Sequence, residues 1–345
     1  MGTVFPHSSR WIELHIIVGL EIDFDSDGPN IGSYHPDTEL PMLTTLSHEL
    51  DCQWTTGYNS EWRPYFTSQW EMPNLKSYIA INVTPHMVQS NITHVNNCDL
   101  SWTNPEEMDD NAVFLPGLID QLQAMSAANL QNLTLTFHHV RPYENEIHMQ
   151  DMVVEVPSVT KLTLDVQGGG NVDDVMDQLL SVIELPNVVD LTLRLHLDSS
   201  FTSELSKKLN APNGPLQFEK LVKISIRDHR SPDEAILEPI LLQCTSLVEL
   251  SLEIPGMELF GWSRISQLEL DELWYDRLPL QILRLINCDA ITTKDAGTLM
   301  GKLRVYPTWK TFRILEFIEC KRLSEGFFLA AEDEMEGKLR WRTAT

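Results

Sequence analysis

The sequence is short of positive charge: 25 Lys and Arg stand against 50 Asp and Glu, leaving a net charge of −25 over 345 residues. Such a surface repels phosphate, which argues against a general nucleic-acid binder and against a protein resting on an anionic membrane. Cysteine is scarce as well. The five thiols (Cys52, Cys98, Cys244, Cys288 and Cys320) are odd in number, far apart and without C-x-x-C or Cys/His ligand spacing. Neither a disulfide framework nor a zinc site is indicated. Long apolar runs are missing, so no membrane span is expected. The opening stretch "MGTVFPHSSRWIEL" lacks the apolar region of a signal peptide, and Pro6 stands where a myristoylation signal after Gly2 needs Ser or Thr. Asn82-Val83-Thr84, Asn91-Ile92-Thr93 and Asn132-Leu133-Thr134 match the glycosylation triplet, but without a secretory signal they read as chance matches. A reducing cytoplasm or nucleus is the expected compartment.

Catalytic signatures are also missing. There is no G-x-G-x-x-G or Walker pattern and no G-x-S-x-G elbow. Gly168-Gly169-Gly170 precedes a helical stretch, but no Lys follows and Asp173-Asp174 would repel an anion, so it reads as a turn. His138 and His139 are adjacent; on a strand they point to opposite faces and do not share one ion. The acidic "EDEME" at 332–336 reads as a solvated helix face. No enzyme, metal or cofactor is expected.

What is present is apolar residue in a repeating order. With 42% apolar content the chain can bury a large core, and its length suggests two domains or one elongated array. The template apolar-x-x-apolar-x-apolar starts at Leu130, Val159, Val188, Leu221, Leu247, Leu280 and Phe312, at intervals of 29, 29, 33, 26, 33 and 32 residues. Weaker copies are read upstream: "WIELHI" at Trp11, "LTTLSH" at Leu43, "LKSYIA" at Leu75 and "ITHVNN" at Ile92. Residues 23–39 read as an acidic Gly/Pro loop between repeats.

Amphipathic helices are predicted between the strands. "VDDVMDQLLSVIE" places Val175, Met176, Leu179, Leu180 and Ile183 on one side, with Asn171 as cap and Asp173-Asp174 in the first turn. The stretches 114–125, 232–244, 265–274 and 294–303 read similarly, and Pro157 and Pro186 are expected to end helices before the next strand.

Strand, turn, helix, turn about every 30 residues predicts an α/β fold: a leucine-rich-repeat solenoid, or horseshoe, with short parallel strands on the concave face and helices on the convex face. It is expected to span residues 1–345 as a single solenoid. Residues 1–126 are irregular, acidic and rich in Trp (Trp11, Trp54, Trp62, Trp70 and Trp102); residues 127–345 are regular. The charge is uneven in the same sense: 17 acidic and 3 basic residues before position 127, 33 and 22 after it. The tryptophans are expected to fill core, with any exposed one a candidate anchor.

Cys288 follows Leu285 by three residues, and Cys320 follows Phe317 by three. Matched positions predict a structural ladder site rather than a nucleophile. The stretch "LQILRLINCDAITTKDAGTLMGKL", Leu280–Leu303, resembles the cysteine-containing class of leucine-rich repeats typical of F-box substrate receptors. The wider layout resembles fungal F-box-like leucine-rich-repeat proteins through "HSSRW" (7–11), "MPNLKSYIAIN" (72–82) and "LPNVVDLTLRL" (185–195). The resemblance implies the substrate-recognition part of a ubiquitin-ligase receptor. The F-box of such a protein would precede "HSSRW", and only six residues do, so the chain reads as the repeat part alone.

Binding is expected on the residues between the strand leucines, because side chains alternate along a strand. That row reads Lys161, Thr163 and Asp165; Asp190, Thr192 and Arg194; Lys223, Ser225 and Arg227; Glu249, Ser251 and Glu253; then Arg284 and Glu316. The expected partner is a protein, either a ligase substrate or a basic protein regulated by a stand-alone acidic repeat. The chain itself is expected to be a monomer.

Overall fold

The computed structural model describes residues 10–18, 39–50, 70–82, 94–103, 111–113, 115–126, 129–142, 153–168, 170–197, 220–228, 237, 240–241, 244–257, 259, 279–305 and 307–343. The chain divides into two compact units, Met1–Asn187 with Asn213–Leu216 and Val188–Pro212 with Gln217–Thr345. Both are α/β, with few helices and parallel strands.

In the first unit the strands are β1 (Glu13–Val18), β2 (Thr45–Leu50), β3 (Ser77–Ile81), β4 (Asn97–Thr103), β5 (Asn111–Val113), β6 (Asn132–His138), β7 (Val140–Pro142), β8 (Val154–Glu155), β9 (Lys161–Gly168) and β10 (Ile183–Glu184). β1, β2, β3, β4, β6 and β9 pair in that order, all parallel; β5–β7 and β8–β10 form two small parallel pairs. The second unit runs β11 (Asp190–Leu197), β12 (Lys223–Asp228), β13 (Glu249–Glu253), β14 (Ile282–Ile286), β15 (Ile314–Ile318) and β16 (Leu339–Arg342), each parallel to the next. Parallel neighbours need a crossover, which the intervening chain supplies: α1 (Leu115–Ser126) and α2 (Gly170–Val182) in the first unit, α3 (Thr293–Val305) and α4 (Glu325–Glu332) in the second.

Register follows the apolar template. Leu46, Tyr78, Cys98, Leu133 and Leu162 align across β2–β9, and Leu191, Ile224, Leu250, Leu283, Leu315 and Leu339 align across β11–β16. All are buried, as is the leading apolar residue of each phrase from Leu43 to Phe312. A one-residue slip in any strand would expose its whole apolar set. Trp70 and Trp102 are core, the latter stacked on Phe137 at 5.4 Å. Trp54, Trp62 and Cys52 lie outside the described residues, as do the stretch 265–274 and most of 23–39 and 232–244.

The strand entries share one backbone device. In the first unit Thr44 and Thr45 both donate to Ile12 O, Lys76 and Ser77 to Thr44 O, Asn96 and Asn97 to Lys76 O, Gln131 and Asn132 to Asn96 O, and Thr160 and Lys161 to Gln131 O. In the second unit the same pairing joins Val222 and Lys223 to Val189 O, then Val248 and Glu249 to Val222 O, Gln281 and Ile282 to Val248 O, and Arg313 and Ile314 to Gln281 O. Asn82, His139, Asn287 and Glu319, one residue past their strands, take left-handed φ of 50° to 58° and donate their N–H to the neighbouring strand. Gly168, the last residue of β9, has φ +132°, and a Cβ there would meet Val172 Cγ2 at 3.1 Å and the His139 backbone at 3.3 Å. The turn before α2 therefore requires glycine.

Three expectations change. The phrase placed at Ile92 belongs at Val95: Val95, Cys98, Leu100 and Trp102 are the buried set, and the polar residues between them hid the phase. Pro157 and Pro186 do not directly end helices. Each follows a short strand, β8 or β10, and sits in the turn whose backbone leads to the next strand; α2 has already ended at Val182. The chain also adds β16, whose "KLRWR" lacks a leading leucine. The helices expected over 114–125, 172–184 and 294–303 are present, α2 starting one residue before Asn171 and ending at Val182 so that Ile183 lies on β10, and α3 is capped reciprocally by Thr292 and Asp295. In the 332–336 stretch Glu332 closes α4, residues 333–335 form a 3₁₀ turn, and Glu336 accepts from Trp309 Nε1 at 3.2 Å.

Replacing Leu250 with Asp places an unpaired charge in this core. Thermal denaturation should show a loss of several kcal/mol; an unchanged melting curve would overturn the register. A second test concerns His48, which occupies a leucine position on β2, buried, with Nδ1 2.9 Å from the Tyr78 hydroxyl. Burial pushes its pKa from 6.5 down to about 4. The unfolded chain therefore takes up this proton at higher pH than the folded one. The stability it supports is full above pH 6.5 and is lost as pH falls toward 4, by roughly 3 kcal/mol. Denaturant titrations at pH 7 and 4.5 should show that His48→Gln removes this share of the acid sensitivity.

Candidate functional site

The residues between the strand leucines form the outward face of each unit. On neighbouring strands about 4.8 Å apart they line up in rows. In the first unit one row reads Glu13, Thr45, Ser77, Asn97, Asn132 and Lys161; the next reads His15, Ser47, Ile79, Asp99, Thr134 and Thr163.

Over β3, β4, β6 and β9 these rows enclose an open pocket of about 370 Å³. Ser77, Ile79, Asn97, Asp99, Asn132 and Thr134 line it, with Lys161 and Thr163 on the β9 side and Cys98 beneath. Its wall is ordered by a run of carboxamides: Asn97 Nδ2 donates to Asn96 Oδ1 at 2.7 Å, and Asn132 Nδ2 donates to Asn97 Oδ1 at 2.5 Å. Asn132 thus has a structural use for the side chain that the glycosylation triplet flagged. Asp99 makes no hydrogen bond or ion pair with any described residue, and burial raises its carboxyl above the usual carboxylate range. At the far end of β9, Asp165 is held by His138 Nε2 at 2.9 Å. His139 lies past the end of β6 and leaves the strand through its positive φ, so the two histidines are not successive strand residues.

The second unit carries eight of the ten charged residues expected from sequence, and most pair with one another. Arg284 bridges two strands, donating from Nη1 to Glu249 and from Nε to Glu316 at 3.0 Å. Lys223 lies 3.8 Å from Glu249, Arg227 3.0 Å from Glu253, and Asn287 Nδ2 donates to Glu253 at 2.9 Å. Arg194 lies beside Arg227 in register, and Asp190 beside Lys223, with Asp190 Oδ1 buried and without a hydrogen-bond partner. Of the expected row, Lys161 and Thr163 line the pocket. Asn97 and Asp99 were missed because the β4 phrase was placed three residues early, and the alternation Cys98, Leu100, Trp102 was the signal that could have found them; Asn132 and Thr134 lie in the correctly placed Leu130 phrase, outside an expected row that begins at Lys161.

The described cysteines, Cys98, Cys244, Cys288 and Cys320, are all buried. Cys288 and Cys320 are buried, their thiols facing backbone carbonyls, Cys288 to Ile286 O at 3.3 Å and to Leu252 O at 3.4 Å, Cys320 to Leu285 O at 3.5 Å. The neighbouring Cys320 thiol and burial together push the Cys288 thiol up, away from thiolate. Among the described residues no three His, Cys, Asp or Glu side chains converge as metal ligands, and no helix is long and apolar enough to cross a membrane. No family model matches the chain, and no curated protein matches it.

Arg284 is the centre of the second unit's charge lattice. Arg284→Met leaves Glu249 and Glu316 without their shared cation and should cost about 1–2 kcal/mol in thermal or denaturant unfolding. Adding Glu249→Gln should recover part of that loss. Strictly additive costs would show that these charges do not act together.

Proposed function

We propose that the chain is a leucine-rich-repeat protein-binding scaffold, the substrate-recognition part of an F-box-type ubiquitin-ligase receptor. The observation that carries this reading is the in-register outward face: rows of polar side chains on parallel strands, rigidly spaced by the backbone ladder, with a pocket set among them. Parallel-strand faces of repeat arrays present extended binding surfaces of this kind. In sequence the repeat runs on from the first unit to the second without a change of interval, Val159 to Val188 matching Leu130 to Val159. That supports one repeat array over residues 1–345. Lys161, Asp165, Asp190, Arg194, Lys223, Arg227, Glu249, Glu253, Arg284 and Glu316 are the proposed contact charges. The protein works as a monomer in the cytoplasm or nucleus, without catalysis or cofactor.

The second reading is a stand-alone acidic regulator of a basic protein. The net charge and the unpaired Asp99 favour it. The two readings separate at the coding sequence upstream of Met1, where an F-box in frame would support the receptor.

Affinity capture with quantitative mass spectrometry tests the binding face. Reversing Arg194 and Arg227 together to Glu should weaken partner retention and steepen or flatten its salt dependence, since both are exposed charges. Within this face, the exposed ion pair of Arg227 with Glu253 is worth no more than about 1 kcal/mol of stability. Full retention of every partner would move the site off the second unit's face.

A further inference from the structure

Several carboxylates on the outward strand positions meet a partner within the fold. Asp165 has His138, Glu249 and Glu316 share Arg284, and Glu253 has Arg227. Asp99 occupies the same kind of position on β4, yet its register neighbours are Ile79 on β3 and Thr134 on β6, neither of which supplies a cation. A carboxylate partly stripped of water and given no counter-charge raises the free energy of the unbound face. Around it the pocket offers acceptors, the Thr134 hydroxyl, the Asn132 carboxamide oxygen and the Ser77 hydroxyl, and the one cation in its lining, Lys161, stands two strands away on β9 without an ion pair to Asp99.

We propose that this pocket takes a lysine or arginine side chain from an extended segment of a partner protein, with Asp99 as its counter-ion. The inference rests on the outward face being a protein-binding surface. An organic cation fits better than a metal ion, because one carboxylate among neutral amides and hydroxyls is a poor metal set, whereas a guanidinium or ammonium needs one charge and several acceptors. Arginine makes the fuller use of the site, its planar fork reaching Asp99 and the neighbouring acceptors at once. Lys161, in the next row on β9, repels a second cation and favours an acidic residue or an open carbonyl at that end of the segment. The preferred segment therefore carries one basic residue with an acidic neighbour, not a basic run. Loss of the Asp99 charge as pH falls should weaken it.

Panning a random heptapeptide library against the full chain tests this. Enriched peptides should carry Lys or Arg. Asp99→Asn, which keeps the shape, should weaken them at least tenfold, with a larger loss at low than at high salt. Glu332→Gln, an exposed acid elsewhere, should leave binding unchanged and so separate the pocket from the general negative field. Thr134→Trp, which fills the pocket on a strand that tolerates aromatics, should abolish binding while the circular dichroism spectrum and melting temperature stay near those of the unmodified chain. Peptides blocked by Thr134→Trp but lacking basic residues, or indifferent to Asp99→Asn, would overturn the cation pocket and leave the binding face standing. An equal loss with Glu332→Gln would also overturn it. Free arginine amide binding as tightly as any peptide would overturn the protein occupant and assign the pocket to small amines. Peptides that ignore Thr134→Trp, or no enrichment at all, would overturn both the pocket and its face.

Discussion

Nine strands, β2, β3, β4, β6, β9 and β12 to β15, enter their sheets by giving two successive N–H groups to one carbonyl of the repeat before, and the rest of the structure depends on that junction. It recurs from Ile12 O to Gln131 O in the first unit and from Val189 O to Gln281 O in the second. A single repeat has no way to make this bond, so its polar backbone is satisfied only when a neighbour stacks on it. The junction also sets the register residue by residue. Once Lys76 and Ser77 bond Thr44 O, Tyr78 must face the core and Ile79 the outside.

Register then decides electrostatics. Because parallel strands place matching positions side by side, a charge meets whatever the next repeat holds at the same place. In the second unit that produces alternating signs, and Arg284 ends up shared by Glu249 and Glu316. In the first unit Asp99 meets Ile79 and Thr134 instead. One outward face is largely self-neutralised; the other keeps a partly desolvated carboxylate at a pocket. Exposed pairs in the first case contribute little stability each, so their value lies in ordering a surface. The second case is an unmet electrostatic demand, which a partner can satisfy.

The exits from the strands obey a backbone constraint of their own. The chain must turn away from the sheet while still donating one more N–H to its neighbour, which requires a left-handed residue. Asn82 and Asn287 suit that conformation, and their side chains are used as well: Asn82 Oδ1 accepts from Thr103 N at 2.7 Å, and Asn287 donates to Glu253. The next residue turns inward. At Cys288 and Cys320 it is a small thiol that fits beneath the ladder and faces its carbonyls, which is why the cysteine motif is structural.

The sequence by itself determined the repeat: the leucine template from Leu130 onward names the buried residues, the parallel strands and the outward row, because alternation along a strand leaves no other face for them. It determined the place of the helices at 115–126, 170–182 and 293–305 through their apolar periodicity, and the ladder role of the two matched cysteines. Where the template was diluted by polar residues, as in "THVNNCDLSW", the phase was not legible, and Asn97 and Asp99 were passed over with it. Composition alone also left the expected binding charges as an undivided row. Only the tertiary structure decided which of those charges pair with each other, and that Asp99, outside that row, lines a pocket without a paired cation. The reason is distance: partners such as Arg284 and Glu249, or His138 and Asp165, lie 35 and 27 residues apart in the chain, and pairing between strands, not local pattern, brings them within hydrogen-bond reach.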